Sequence, residues 1–221
     1  MSLQQSPHEV AMYRRGTGRA VLLVGVYVDD LIIAGVEEVE KFKAAMKQRF
    51  DMSSLGLLSF YLGIEVHQDD SGITLRQAHY AKCILELGGM EGCNPVHTPM
   101  EEKLKLSRDS EAEEVDPTHY RRLVGNLRYL VHTRPDLAFA VGYVSRFMER
   151  PTAEHLQAVK RILRYIAGTL DFGLHYKCTL GAMRFTGYCD SDLAGDIDTS
   201  KSTSRTMFFL GGRLVCWQST K

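Results

Sequence analysis

No Cys-x-x-Cys pair occurs in this sequence, and its five cysteines (Cys83, Cys93, Cys178, Cys189, Cys216) are odd in number and widely spaced. That excludes a zinc knuckle, a thioredoxin-type motif and a disulfide framework. Free thiols in a reducing compartment are the simple reading, so an intracellular setting, cytoplasmic or nuclear, is expected. Long apolar runs are lacking too. The longest, Ala20 to Val28, is about half of a membrane span and ends against two aspartates. No secretory signal is visible among the first residues, and no membrane partner is expected. Net charge is also missing: 27 basic residues balance 27 acidic ones among 221, so overall charge points to no anionic partner. With 44% hydrophobic and 24% charged residues, what remains is an ordinary globular chain, one large domain or two small ones.

The neutral mean conceals a basic segment. Residues 119–170 carry nine Lys/Arg against three acids, whereas residues 1–118 carry twelve bases and nineteen acids. Within the basic stretch, Lys160 and Arg164, and likewise Gln157 and Arg161, stand one helical turn apart, opposite an apolar stripe. A solvated helix face is the plain account of such a pattern.

Ala20 to Val28 is short, β-branched and apolar, as in a strand buried on both faces. Asp29-Asp30 interrupts it before Leu31-Ile-Ile-Ala34, which predicts two strands joined by a tight acidic turn. Val39, Phe42, Met46 and Phe50 have helical spacing. Phe60–Val66 and Ile73–Leu75 read as strands about the turn Asp69-Asp70-Ser71-Gly72, and Ala78–Leu87 as a helix closed by Gly88-Gly89. Ten of the sixteen residues 101–116 are charged, which predicts an exposed linker. Asp116-Pro117 then offers a capped helix start, and three amphipathic helices follow in 117–170. Beyond Gly168 the pattern returns to strands at Phe172–Lys177, Met183–Cys189, Met207–Leu210 and Leu214–Trp217, with a hairpin turn at Gly211-Gly212.

Adjacent carboxylates repel unless one is protonated or a cation lies between them. Magnesium takes hard oxygen ligands and often only one or two carboxylates together with phosphate oxygens. Acidic turns between strands are commonly just solvated, however, so the pair alone decides little. The eight histidines are scattered with no i, i+4 pair and receive no role.

The neighbours of the pair carry more. Tyr27-Val28-Asp29-Asp30, between Val21-Leu-Leu-Val-Gly-Val26 and Leu31-Ile-Ile-Ala-Gly35, resembles the Y-x-D-D signature of reverse transcriptases in its copia-type retrotransposon form. Phe50-Asp-Met-Ser-Ser-Leu-Gly56 and Phe60-Tyr-Leu-Gly-Ile-Glu-Val66 resemble the next two polymerase motifs, the second being the primer grip. Tyr80-Ala-Lys82 and Thr98-Pro-Met100 match segments that follow it. Tyr120 to Leu130, Thr133-Arg-Pro-Asp136 and Ile162 to Thr169 resemble the thumb and connection. Gly187-Tyr-Cys-Asp-Ser-Asp-Leu-Ala-Gly-Asp196 with Lys201-Ser-Thr-Ser204 is similar to the opening of a fused ribonuclease H domain.

The resemblance implies an α+β chain. It would hold a partial palm and primer grip over 1–100, a charged linker over 101–116, a helical thumb and connection over 117–170, and a truncated ribonuclease H-like β-meander over 171–221. Asp29 would bind catalytic Mg2+ (or Mn2+), with Asp30 its weaker companion, and Asp190 would be the first metal-binding aspartate of the ribonuclease H site. Tyr27 and Val28 would floor the primer end and nucleotide; Leu62 and Gly63 would form the primer grip. Arg121, Arg122, Arg128, Lys160, Arg161 and Arg164 would meet the phosphates of an RNA/DNA template–primer, with dNTP as the other partner. Departures temper this. No aspartate precedes Asp29, Glu9 being the sole acid before it, so the third palm carboxylate and the fingers are expected in a separate upstream segment. Ser54, Leu193 and Arg205-Thr206 stand where the family usually has aspartate, tryptophan and Ser-Gly. The expected reading is a reverse transcriptase fragment, inactive alone; the rival is a non-enzymatic nucleic-acid-binding remnant or an inert relic.

Overall fold

The computed structural model describes residues 3–178 and 183–221. The chain forms two compact units, the first ending at Leu58 and the second running from Ser59 to Lys221. It is mixed α and β, and every strand pairing is antiparallel.

The first unit is a sheet of four strands in chain order, β1 (Gln4–Gln5), β2 (Met12–Arg15), β3 (Leu22–Tyr27) and β4 (Asp30–Gly35), followed by the helix α1 (Val39–Lys47). Leu22 and Val24 are fully or almost fully buried and meet Phe42 of α1, while Leu23 between them is 37% exposed. The expected strand buried on both faces is therefore buried on one. Successive side chains alternate across a strand, and within this unit a helix packs against one sheet face.

Among its described residues the second unit contains two sheets and four α-helices. One sheet has the order β5 (Phe60–Tyr61), β6 (Ile64–Asp69), β7 (Gly72–Arg76), β8 (Gly173–Lys177). The strand expected over Phe60–Val66 is broken by a turn at Leu62-Gly63, where both residues have positive φ (49° and 77°). That is the backbone a two-residue type I′ hairpin needs, and glycine supplies half of it without strain. β8 pairs with β7 across nearly a hundred residues, Leu174 opposite Leu75.

Between β7 and β8 run α2 (Ala78–Leu87), α3 (Pro117–Leu130), α4 (Ala138–Val144) and α5 (Ala153–Ala167), which share the main core. Asp116 caps α3 as its sequence predicts, accepting from the N–H groups of Thr118 (2.8 Å) and His119 (3.2 Å). The 101–116 stretch is not simply an exposed linker. Leu106 is buried, its N–H donates to the Tyr143 hydroxyl (3.0 Å), and Glu114 bridges to Thr152. Two leucines among the charges are enough to seat it on the helical core.

Two polar groups inside this core are satisfied. Arg134, 2% exposed, donates to Asp136 (2.7 Å), to the Thr169 carbonyl (2.9 Å) and to the Thr169 hydroxyl (2.8 Å), between the rings of Tyr165 and Phe172. His155, fully buried and stacked on Phe147, accepts the Thr152 N–H at Nδ1 (3.0 Å) and donates from Nε2 to the Ser107 carbonyl (3.0 Å). The second sheet is a meander of β9 (Phe185–Ser191), β10 (Ser204–Leu210) and β11 (Arg213–Thr220) with β10 central. The Trp217 indole of β11 donates to the Val131 carbonyl (3.2 Å).

Candidate functional site

Tyr27 pairs with Asp30 across the β3–β4 hairpin, so Val28 and Asp29 are its two turn residues. Val28 has φ 52° and is 81% exposed. A primed hairpin turn requires positive φ at its first position and normally takes glycine or asparagine there. A β-branched residue in that region is strained, and such strain collects at functional tips. Asp29 and Asp30 are exposed beside it, and no hydrogen bond or ion pair from other described side chains engages either carboxylate. Two open carboxylates of hard oxygen fit one magnesium ion that completes its shell with phosphate and water. Among the described residues no third acid, histidine or cysteine groups with them, so the pair by itself is short of a two-ion clamp.

Leu62 and Gly63 occupy the β5–β6 turn in the second unit, and this turn is held from α3. The Tyr129 hydroxyl donates to the Leu62 carbonyl. A Cβ on Gly63 would lie 3.4 Å from that hydroxyl, an ordinary contact, so it is the φ of 77° that favours glycine here. Tyr129 meets Tyr80 edge to face (centroids 5.2 Å), and the Tyr80 hydroxyl donates to Asn126 (2.7 Å). The Tyr129 clamp has no local sequence signal, because it joins residues far apart in the chain.

The six basic candidates divide between α3 and α5. Arg161 is engaged by Glu101 (3.1 Å) and Thr98 (3.0 Å), Arg164 donates to the Asn94 carbonyl (2.7 Å), and Arg121 to the Met148 carbonyl (3.2 Å). These three hold segments of the protein in place. The side chains of Arg122, Arg128 and Lys160 meet no hydrogen-bonding or ionic partner among the described residues and stay available to a polyanion. A groove of about 370 Å³ beside α5 is lined by Lys105, Lys160, Arg161 and Arg164 together with Glu101 and Glu154.

Asp190 lies on β9 directly opposite Arg205 of β10, with 3.1 Å between carboxylate and guanidinium. Asp192 accepts from the Thr203 N–H (2.7 Å). Asp196 is nearly buried, which alone would raise its pKa. Lys221 at 2.5 Å and the Thr199 hydroxyl and N–H, each at 2.9 Å, hold it well below the usual carboxylate range, and Arg146 adds a further ion pair at 3.1 Å. Each aspartate of this segment already has a partner within the chain. The residues around Asp190 do not fit a metal ion.

No helix among the described residues is long and apolar enough to cross a membrane. Comparison with known proteins finds a reverse transcriptase (RNA-dependent DNA polymerase) family match over residues 1–102. The chain is 38% identical over 218 residues to the retrovirus-related Pol polyprotein from transposon RE1 of Arabidopsis thaliana, covering 98% of this chain and 15% of that protein. It is 39% identical over 206 residues to the polyprotein from transposon RE2 of the same plant, covering 92% of this chain and 14% of that protein. An uncharacterised mitochondrial protein of Arabidopsis thaliana is 36% identical over 198 residues, with 89% of this chain and 82% of that protein covered. The chain thus spans about one seventh of the two polyproteins. No solved structure matches it. Identity that runs through both units, with the Y-V-D-D turn at an exposed hairpin tip, shows that the chain belongs to the reverse transcriptase family of copia-type, retrovirus-related Pol polyproteins.

Proposed function

We propose that this chain is the palm-and-thumb part of an RNA-directed DNA polymerase, acting on an RNA/DNA template–primer and deoxynucleoside triphosphates. The observation that carries the reading is the β3–β4 tip, where two unengaged carboxylates follow a strained Val28. Asp29 and Asp30 would hold Mg2+ against the nucleotide phosphates, with Tyr27 and Val28 beneath the primer end. When bound, the ion supplies charge stabilisation for phosphoryl transfer. The Leu62-Gly63 turn, steadied by Tyr129, offers backbone for close approach to the primer. Arg122, Arg128 and Lys160 would bind phosphates, which positions a duplex without reading its sequence. Residues 171–221 would correspond to the ribonuclease H-like segment; its meander is β9–β11, while β8 at its start pairs with β7 in the other sheet.

Polymerisation by the chain alone is not expected, because Asp29 and Asp30 supply two carboxylates where a two-ion clamp needs more. A third carboxylate and the nucleotide-holding fingers would come from a further segment of the polyprotein. Filter binding to an RNA–DNA duplex at two salt concentrations tests the reading, with salt-sensitive binding expected and its absence overturning it. A template–primer extension assay with Mg2+ tests the inactivity. Incorporation by the chain alone that Asp29→Asn abolishes would show the two carboxylates to be sufficient.

A further inference from the structure

We propose that Arg205 is the resident cation of Asp190: its guanidinium takes the position a divalent metal would need, and the aspartates of residues 190–196 tie the C-terminal sheet together instead of binding metal. The inference is independent of the polymerase reading, because Asp29 and Asp30 belong to the other unit.

Three observations in the second unit converge. Register places Arg205 and Asp190 opposite one another on neighbouring strands, with the guanidinium Nη1 3.1 Å from the carboxylate. Opposite charges at such a cross-strand position attract, but a surface pair alone is weak and would yield to a dication. Here the arginine has a second contact. Its guanidinium carbon lies 4.3 Å over the ring of Phe139 in α4, and its Nε is buried with no hydrogen-bond partner among the described residues. The head group thus rests on an aromatic face as well as beside the carboxylate, and this second contact favours keeping its charge there although the side chain is 40% exposed.

The neighbouring acids are occupied as well. Asp192 accepts the Thr203 N–H and packs so closely on Gly195 that a Cβ there would lie 2.5 Å from its carboxylate oxygen. Asp196 is held by Arg146, Lys221 and Thr199. A metal at Asp190 would thus find one carboxylate, a guanidinium already paired with it, and no second acidic ligand to share. Among the described residues no group of three metal-binding side chains exists.

A Mn2+ titration of the full chain, read as paramagnetic broadening of amide signals, tests this. Broadening at residues 28–31 reports the hairpin tip and broadening at 189–191 reports β9, so the two readings are scored separately. The unmodified chain and Asp190→Asn are expected to give the same response at β9. Arg205→Gln, which removes the charge while keeping a planar group over Phe139, is expected to bind Mn2+ at β9 about tenfold more tightly. Adding Asp190→Asn to it should abolish the gain. Loss of β9 broadening in Asp190→Asn alone would overturn the proposal. So would an Arg205→Gln chain, with its amide spectrum otherwise preserved, that binds no more tightly than the unmodified one.

Discussion

The Tyr129 hydroxyl donates to the carbonyl of Leu62, 67 positions earlier in the chain, and so a helix fixes the tip of a hairpin. The turn it holds has two consecutive residues in the left-handed region, Leu62 and Gly63. Helix and hairpin tip are therefore joined directly by a side chain.

Tyr129→Phe should keep the edge contact with Tyr80 and lose only the donor. Leu62 is 40% exposed, so its carbonyl can turn to water, and the expected cost is about 0.5–1.5 kcal/mol in urea unfolding. Gly63→Ala should cost about 1–2 kcal/mol, because a side chain at φ 77° is strained. A smaller loss for Gly63→Ala than for Tyr129→Phe would contradict this ranking.

Val28→Gly should stabilise the first unit. Relief of left-handed strain is worth about 1–3 kcal/mol, and the extra freedom of glycine in the unfolded chain returns about 0.5–1 kcal/mol of it. A urea midpoint that rises is expected; one that falls would mean Val28 makes a compensating contact.

His155 should make the second unit acid-sensitive. Burial pushes its pKa below the usual histidine value, against the Ser107 carbonyl and the charges of Glu154 and Asp198, which raise it. The folded state thus holds fewer protons than the unfolded one between the two pKa values. Stability is full above the unfolded value of about 6.5 and declines as pH falls toward the lower folded value, by at most about 1.4 kcal/mol per pH unit. His155→Gln should flatten that slope between neutral and mildly acid pH in denaturant titrations, whatever it costs in absolute stability.

Lys160→Ala and Arg161→Ala should differ although they are neighbours. Lys160 has no partner to lose, so its removal should leave stability unchanged and lower the salt slope of RNA–DNA duplex binding by about one. Arg161 ties Glu101 and Thr98 to α5, so its removal should chiefly loosen residues 94–101, seen as faster amide exchange there. Equal salt slopes and equal exchange in the two variants would contradict this division.

Much of this was legible in the sequence where cause and effect lie close together. The helix of 78–87, the Asp116–Pro117 helix start and the Gly211-Gly212 turn are all set by neighbours within a turn or two, as is the β3–β4 hairpin, although its turn falls at Val28-Asp29, one residue before the expected Asp29-Asp30. Less local matters escaped. The periodicity of Phe60–Val66 is strand-like on both sides of Leu62-Gly63, so the break did not show. Burial of Arg134 and anchoring of 101–116 depend on partners that no local pattern names, Thr169 and Tyr143 among them.

By itself the sequence determined the element types, the caps and turns, and the acidic tip, because backbone propensity and side-chain period act within a few residues. Which charges are engaged and which remain open was decided only by the tertiary structure. Arg161 is claimed by Glu101 and Asp190 by Arg205, while Lys160, next to Arg161, has no such partner among the described residues. A charge acquires its role from what folding brings within a few ångströms, and those neighbours come from distant parts of the chain.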